Sequence, residues 1–140
     1  MTDITPRELV RRYVATWNEP DASRRRQAIA GLWAEDGAHI LQPPLEIGQA
    51  ATALGFPAAT LVARGHDALE FRVTRSYEEF IAPGKYAFRP RDNARRLGDV
   101  VKFSWEMVAT DGGEVAAAGL EVFVLGADGR IKADYQFIEA

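Results

Sequence analysis

Glu121 and Asp134 are the residues of this chain with the clearest capacity for chemistry. They stand on two apolar stretches, 115–125 and 131–138, joined by the tight turn Asp128-Gly129. Successive side chains alternate across a β-strand. Gly119, Glu121 and Phe123 therefore share one face and oppose Leu120, Val122 and Val124, while Asp134, Gln136 and Ile138 oppose Tyr135 and Phe137. Carboxyls on hairpin-joined strands can approach across the sheet, and two acids in apolar surroundings ionise at well-separated pH values. One then stays protonated as a donor while the other serves as a base, which is equipment for moving a proton. Parity leaves two settings open: the polar set faces water, or it lines a cavity in a sheet covered on both sides.

Other chemistries are poorly provided for. The 140 residues contain no cysteine, which excludes disulfides, thiolate metal sites and a cysteine nucleophile. The two histidines, His39 and His66, stand in unrelated contexts without metal-ligand spacing, so no metal is expected. Seventeen basic against twenty acidic side chains give a net charge of -3, without the basic excess of a nucleic-acid binder. The densest basic run, Arg24-Arg25-Arg26, is expected to be a solvated helix face. The opening Met1-Thr2-Asp3-Ile4-Thr5-Pro6 lacks the features of a signal peptide, and no apolar run is long enough to span a bilayer, so a cytoplasmic protein is expected.

Helices come first along the chain and strands after. Thr5-Pro6-Arg7-Glu8 is a capping box with proline at the first helical position, and Leu9, Val10, Tyr13, Val14 and Trp17 form one apolar stripe behind it. Asp21 caps a second helix carrying Ile29, Leu32 and Trp33, expected to end at Glu35-Asp36-Gly37. A short strand at 38–42 stops at Pro43-Pro44. The weakly patterned stretch 45–64 reads as a short helix or a lid. Gly65-His66-Asp67 opens a third helix that ends at Pro83-Gly84. A strand at 85–89, a polar stretch at 90–98 and a long strand, Val100–Ala109, lead into the hairpin turn Asp111-Gly112-Gly113 and the two closing strands. In the long strand Phe103, Trp105 and Met107 share one face. This order is that of a single α+β domain, with helices segregated to one side of a largely antiparallel sheet.

Several segments together resemble the SnoaL-like proteins of the nuclear transport factor 2-like superfamily, which includes ketosteroid isomerase and polyketide cyclases. They are Arg12-Tyr13-Val14, Trp17-Asn18-Glu19-Pro20-Asp21, Leu32-Trp33-Ala34-Glu35-Asp36-Gly37, Val101-Lys102-Phe103-Ser104-Trp105-Glu106, Gly119-Leu120-Glu121-Val122-Phe123 and Asp128-Gly129-Arg130-Ile131. The resemblance implies a cone-shaped α+β barrel over residues 1–140, with three N-terminal helices packed on a curved, mixed but mainly antiparallel sheet. It implies a small-molecule pocket on the concave face, lined by Trp17, Gln42, Phe103, Trp105, Met107, Phe123, Gln136 and Ile138. It also implies a homodimer through a convex face of Leu120, Val122, Val124, Tyr135 and Phe137.

By the same resemblance Tyr13 matches the isomerases' oxyanion-hole tyrosine, and Glu121 matches their protonated acid. Gln42 stands where their proton-moving aspartate belongs, and an amide is no base at neutral pH. Asp134 lies in the region where the cyclase members place their acidic catalytic residue and is the expected base. His39, of opposite parity to Ile40 and Gln42, is expected to face away from the pocket, and His66 to be a surface or capping residue. The epoxide-hydrolysing relatives use an aspartate–arginine–aspartate set, and the matching face here has no arginine. The expected activity is a cofactor-independent cyclase or isomerase acting on a hydrophobic carbonyl compound. The alternatives are a non-catalytic protein that binds a small apolar ligand and a dimerisation module.

Overall fold

The computed structural model describes residues 4–42, 49, 53–54 and 61–139. Helix α1, Pro6–Asn18, starts as its sequence dictates: Thr5 accepts from the Glu8 amide and proline occupies the first turn. Its buried stripe is Leu9, Val10, Tyr13 and Val14. Helix α2, Ala22–Leu32, is capped by Asp21, whose side chain accepts from the Arg24 amide. It ends five residues before the expected Gly37. Trp33 turns extended and pairs with Ile131, opening strand β1, Trp33–Leu41, in place of the shorter strand expected at 38–42.

Within the weakly patterned stretch the residues Leu61–Arg64 form strand β2, antiparallel to β1. The expected helix or lid at 45–60 lies almost wholly outside the described residues. Helix α3, His66–Ser76, continues into one π-helical turn, Tyr77–Ile81. Strands β3, Tyr86–Pro90, β4, Arg95–Leu97, β5, Val100–Ala109, β6, Val115–Leu125, and β7, Ile131–Glu139, complete the chain. Strand β4 falls in the stretch expected to be merely polar.

The seven strands form one sheet in the order β2-β1-β7-β6-β5-β3, with β4 pairing β5. Only β1 and β7 run parallel among these pairs. This is the α+β cone expected: helices on the concave side of a curved mixed sheet. Ile29, Leu32, Trp33, Leu69, Val73, Phe103, Phe123 and Ile131 meet in the core between helices and sheet. Two irregularities lie along the two edges of β7. Between Trp33 and Ala38 the β1 strand bulges, and the β6–β7 register shifts between Val124 and Leu125. At the bulge Gly37 leaves no room for a side chain, since a Cβ there would stand 2.7 Å from the Ile131 carbonyl oxygen.

The basic run departs from its expectation at one residue. Arg25 is only 4% exposed; its Nη1 donates to the Glu19 carbonyl at 2.7 Å and its guanidinium stacks 4.6 Å from the Tyr77 ring. Helical spacing explains this, because Arg25 lies one and two turns before Ile29 and Leu32 on the inward face. No described helix is long and apolar enough to cross a membrane.

Candidate functional site

Helix α1 is clamped to the sheet at its C-terminal end. The Asn18 side chain donates to the Phe88 carbonyl at 2.8 Å and accepts from the Phe88 amide at 2.9 Å. One turn earlier, Tyr13 points across the core to the end strands. Four rings hold it there: Phe123 at 4.8 Å, Trp33 at 5.5 Å, Phe103 at 5.7 Å and Trp17 at 6.0 Å between centroids. The Tyr13 hydroxyl donates to Asp134 Oδ2 at 2.5 Å, a short bond of the kind a phenol makes to a carboxylate. Both side chains are buried.

Glu121 comes to the same place from β6. In the β6–β7 register Glu121 faces Gln136 and Phe123 faces Asp134, so the two acids sit diagonally across the hairpin. Trp105 on β5 donates its indole N–H to Glu121 Oε1 at 3.0 Å. Glu121 Oε2 and Asp134 Oδ1 are buried without a hydrogen-bond partner. Buried polar atoms are normally satisfied, and an empty lone pair costs about 1–3 kcal/mol. A proton on Glu121 shared with Asp134 satisfies both oxygens, and so would a ligand or water group.

The electrostatics follow from burial. Glu121 titrates well above an ordinary glutamate, first because burial disfavours its charge and second because Asp134 stands beside it. Tyr13 is likewise pushed well above an ordinary phenol, by burial first and then by the negative charge of Asp134 and Glu121. Tyr13 therefore keeps its proton at neutral pH, and Glu121 holds its proton to higher pH than an ordinary glutamate.

The fourth member is His39, and here the sequence expectation is corrected. His39 does not face away. It is 1% exposed, and its Nε2 lies 2.9 Å from Gln136 Oε1, 3.8 Å from Asp134 Oδ2 and 4.0 Å from Glu121 Oε2. Strand β1 runs parallel to β7 with His39 directly opposite Asp134, so the two share a face. The residue taken as the pocket-facing reference, Gln42, lies past the end of β1. It is exposed, and its side chain accepts from the Ile138 amide at 2.9 Å. From α3, Arg72 Nη1 reaches His39 Nδ1 at 3.0 Å and the His39 carbonyl oxygen at 2.9 Å. Burial, the larger effect, and the Arg72 charge lower the His39 pKa, against an opposing pull from Asp134. Neither His39 nor Arg72 was singled out from the sequence as a site residue. The available signal was pairing: a parallel β1–β7 contact carries His39 to Asp134.

Of the remaining sequence candidates, Phe103 and Phe123 are buried against Tyr13, and Trp105 is buried over Glu121. Trp17, Met107 and Gln136 are half-buried, and Ile138 is 47% exposed. His66 is half-buried and its Nε2 lies 3.0 Å from the Trp33 carbonyl oxygen. A groove of about 620 Å³ lies elsewhere, between α1, α2 and the β6–β7 turn, and touches none of Tyr13, His39, Glu121 or Asp134. Its Arg130 and Asp128 pair with each other at 2.8 Å.

His39, Glu121 and Asp134 offer ligand atoms within 4.8 Å of one another, close enough to surround a metal ion. The donor chemistry does not suit one. A metal-bound histidine normally donates its other ring N–H to an acceptor. Here the other nitrogen, Nδ1, meets an arginine N–H, which is only ever a donor. Nε2 must therefore carry the proton and has no lone pair for a metal.

Comparison with known proteins agrees on the fold. No protein-family model matches the chain, and no curated protein matches it in sequence. Among solved structures it is similar to a candidate isomerase of the SnoaL-like family from Agrobacterium tumefaciens, at 24% identity and a TM-score of 0.76, covering 98% of this chain and 100% of that one. It is also similar to a SnoaL-like protein of unknown function from Burkholderia thailandensis, at 19% identity and a TM-score of 0.65 over 99% and 100% of the two chains. A candidate polyketide cyclase from Sinorhizobium meliloti matches at 13% identity with a TM-score of 0.60, over 93% and 94%. The chain has the cone fold of the SnoaL-like and NTF2-like proteins.

Proposed function

We propose that this protein catalyses proton transfer on a small hydrophobic carbonyl compound, as an isomerase or cyclase that needs no cofactor. One observation carries the reading: a buried tyrosine–aspartate hydrogen bond lies beside a second acid whose ionisation burial disfavours, with an unpartnered oxygen on each carboxyl. A substrate carbonyl entering the cluster accepts from Tyr13 and protonated Glu121. Tyr13 then turns from Asp134 to the substrate, which frees Asp134 Oδ2 to remove a proton from the carbon next to the carbonyl. The enolate so formed is held by the two donors, which act where charge develops. Returning the proton to a different carbon isomerises the compound. Attack of the enolate carbon on a second carbonyl closes a ring instead, and the new alkoxide takes the proton from Asp134. The isomerase and cyclase candidates among the structural neighbours support this class of reaction.

A second reading is favoured by a different observation. Tyr13 is packed by four rings, and both acids are fully buried. Such a network also serves a filled core, in a protein that binds or dimerises without catalysis. The deciding experiment begins with thermal-shift screening against steroid, anthraquinone and terpenoid ketones. A ligand at about 100 times its Kd stabilises the fold by about 2.7 kcal/mol. Deuterium uptake next to the carbonyl of the stabilising compound is then followed in D2O. Asp134→Asn should slow that uptake by about 10²–10⁴-fold, the usual weight of general acid–base catalysis, while leaving the thermal shift in place. Binding without exchange in the unaltered protein establishes the non-catalytic reading, and no binding across the panel favours the filled core.

A further inference from the structure

Arg72 makes no contact with the acids, yet it governs the residue beside them. Its Nη1 lies 3.0 Å from His39 Nδ1, 2.9 Å from the His39 carbonyl oxygen and 3.3 Å from the Leu61 carbonyl oxygen. A guanidinium has five N–H donors and no acceptor. The nitrogen facing it must present a lone pair, so the ring proton of neutral His39 sits on Nε2, directed to Gln136 Oε1 and toward Asp134 Oδ2, 3.8 Å away. A second proton on Nδ1 would set two donors against each other and place an imidazolium against the guanidinium.

We propose that Arg72 is a positioning residue that locks His39 as the neutral Nε2–H tautomer, so that His39 enters the site only as a hydrogen-bond donor and never as its base. The charged and titratable groups described around the ring bear on this. Among the described residues, Tyr13 from α1, Glu121 from β6 and Asp134 from β7 cluster on the Nε2 side, and Arg72 from α3 lies on the Nδ1 side. The Trp17 ring, 5.4 Å away, and Gln136 complete the enclosure without charge. With Arg72 removed, Nδ1 is bare and the negative side of the enclosure draws a proton onto the ring. Histidine is the side chain that ordinarily changes charge between about pH 5 and 8, and burial first and then the Arg72 charge shift this one downward, against the pull of Asp134 and Gln136. The catalytic consequence rests on the proton-transfer reading: with His39 locked, removal of a substrate proton is left to Asp134.

The tautomer is read without any substrate, by nitrogen-detected NMR of the imidazole ring. The chain has two histidines, so His66→Gln leaves His39 as the single ring signal. The expected spectrum has a proton on Nε2 alone and does not move between about pH 5 and 8. In Arg72→Met, of similar length but with neither charge nor donor, the ring should titrate within that range. Arg72→Lys, again only a donor, should keep it uncharged. A proton found on Nδ1, or titration in the parent protein, overturns the lock; both are read whether or not the Arg72 variants fold. A folded Arg72→Met protein with a non-titrating ring overturns it too. Where deuterium uptake from a carbonyl compound is established, its pH profile should gain an inflection in the histidine range in Arg72→Met and show none before. If the lock stands while no compound exchanges, the proton-transfer reading fails and the tautomer assignment survives.

Discussion

Glu121 and His39 pull the stability of the fold in opposite directions with pH. Glu121 has a raised pKa in the folded chain, so above 4.5, where the unfolded chain releases this proton, the folded chain still holds it. Its contribution is complete below 4.5 and is lost as pH rises toward the folded value. His39 has a lowered pKa, so the unfolded chain takes up a proton below 6.5 that the folded chain refuses. Its contribution is complete above 6.5 and is lost as pH falls. Glu121→Gln keeps the shape and one donor while removing the ionisation. Urea denaturation at a series of pH values should show the alkaline-side decline flattened in that variant and the acid-side decline unchanged. An unaltered alkaline slope would mean that Glu121 is ionised in the folded state.

The same residues mark how far the site was legible. Tyr13, Glu121 and Asp134 announce themselves, because a tyrosine on an apolar helical stripe and acids on apolar strands are conspicuous locally. His39 is hidden because its meaning is non-local: it depends on a parallel pairing with a strand about a hundred positions later. Parity counted within β1 needs an anchor, and Gln42 proved to be beyond the strand. Arg72 carries no signal at all, since an arginine on a helix ordinarily reads as solvated.

Elements decide whether these side chains can meet. Capping, turns and alternation were legible: Thr5 and Asp21 cap their helices, and the Gly112-Gly113 and Gly129 turns have the positive φ that glycine supplies. The bulge in β1 and the early end of α2 were not, because both are imposed by pairing with Ile131 rather than by local preference. Gly119 shows an element serving the site. It lies opposite Trp105 on the concave face, and a Cβ there would overlap the indole ring that donates to Glu121. The strand therefore needs glycine for the tryptophan to lie flat across it. Gly119→Ala should cost about 1–3 kcal/mol, the usual range for overpacking. It should also shift the tryptophan emission, because the indole N–H loses its buried acid. Denaturation and fluorescence on one sample test both, and an unshifted spectrum at full stability would show that the indole is free to move aside.

At the scale of the molecule, segregated helices and strands made the fold class readable, and the resemblance in scattered segments made it specific. The assembly is argued from the other side of the sheet. The face opposite Tyr13 and its partners carries Leu120, Val122 and Val124, all half-buried, with Tyr135 at 41% and Phe137 at 48% exposed. Five large apolar side chains on two adjacent strands form a contiguous patch of a kind that monomers seldom leave to water. A second copy of the chain is the partner argued for, since one two-fold contact buries the patch on both copies at once. Full burial of each such side chain is worth about 1.5–3 kcal/mol, and the two-fold axis counts every residue twice. Phe137→Glu replaces that gain with buried like charges facing each other across the axis. Sedimentation should therefore give twice 15.4 kDa for the unaltered chain and 15.4 kDa for the variant, with the Tyr13–Asp134 cluster intact on the far face. A chain that sediments at 15.4 kDa across the micromolar range would show that this face meets water, and that its apolar residues serve only the pairing of β6 with its neighbours.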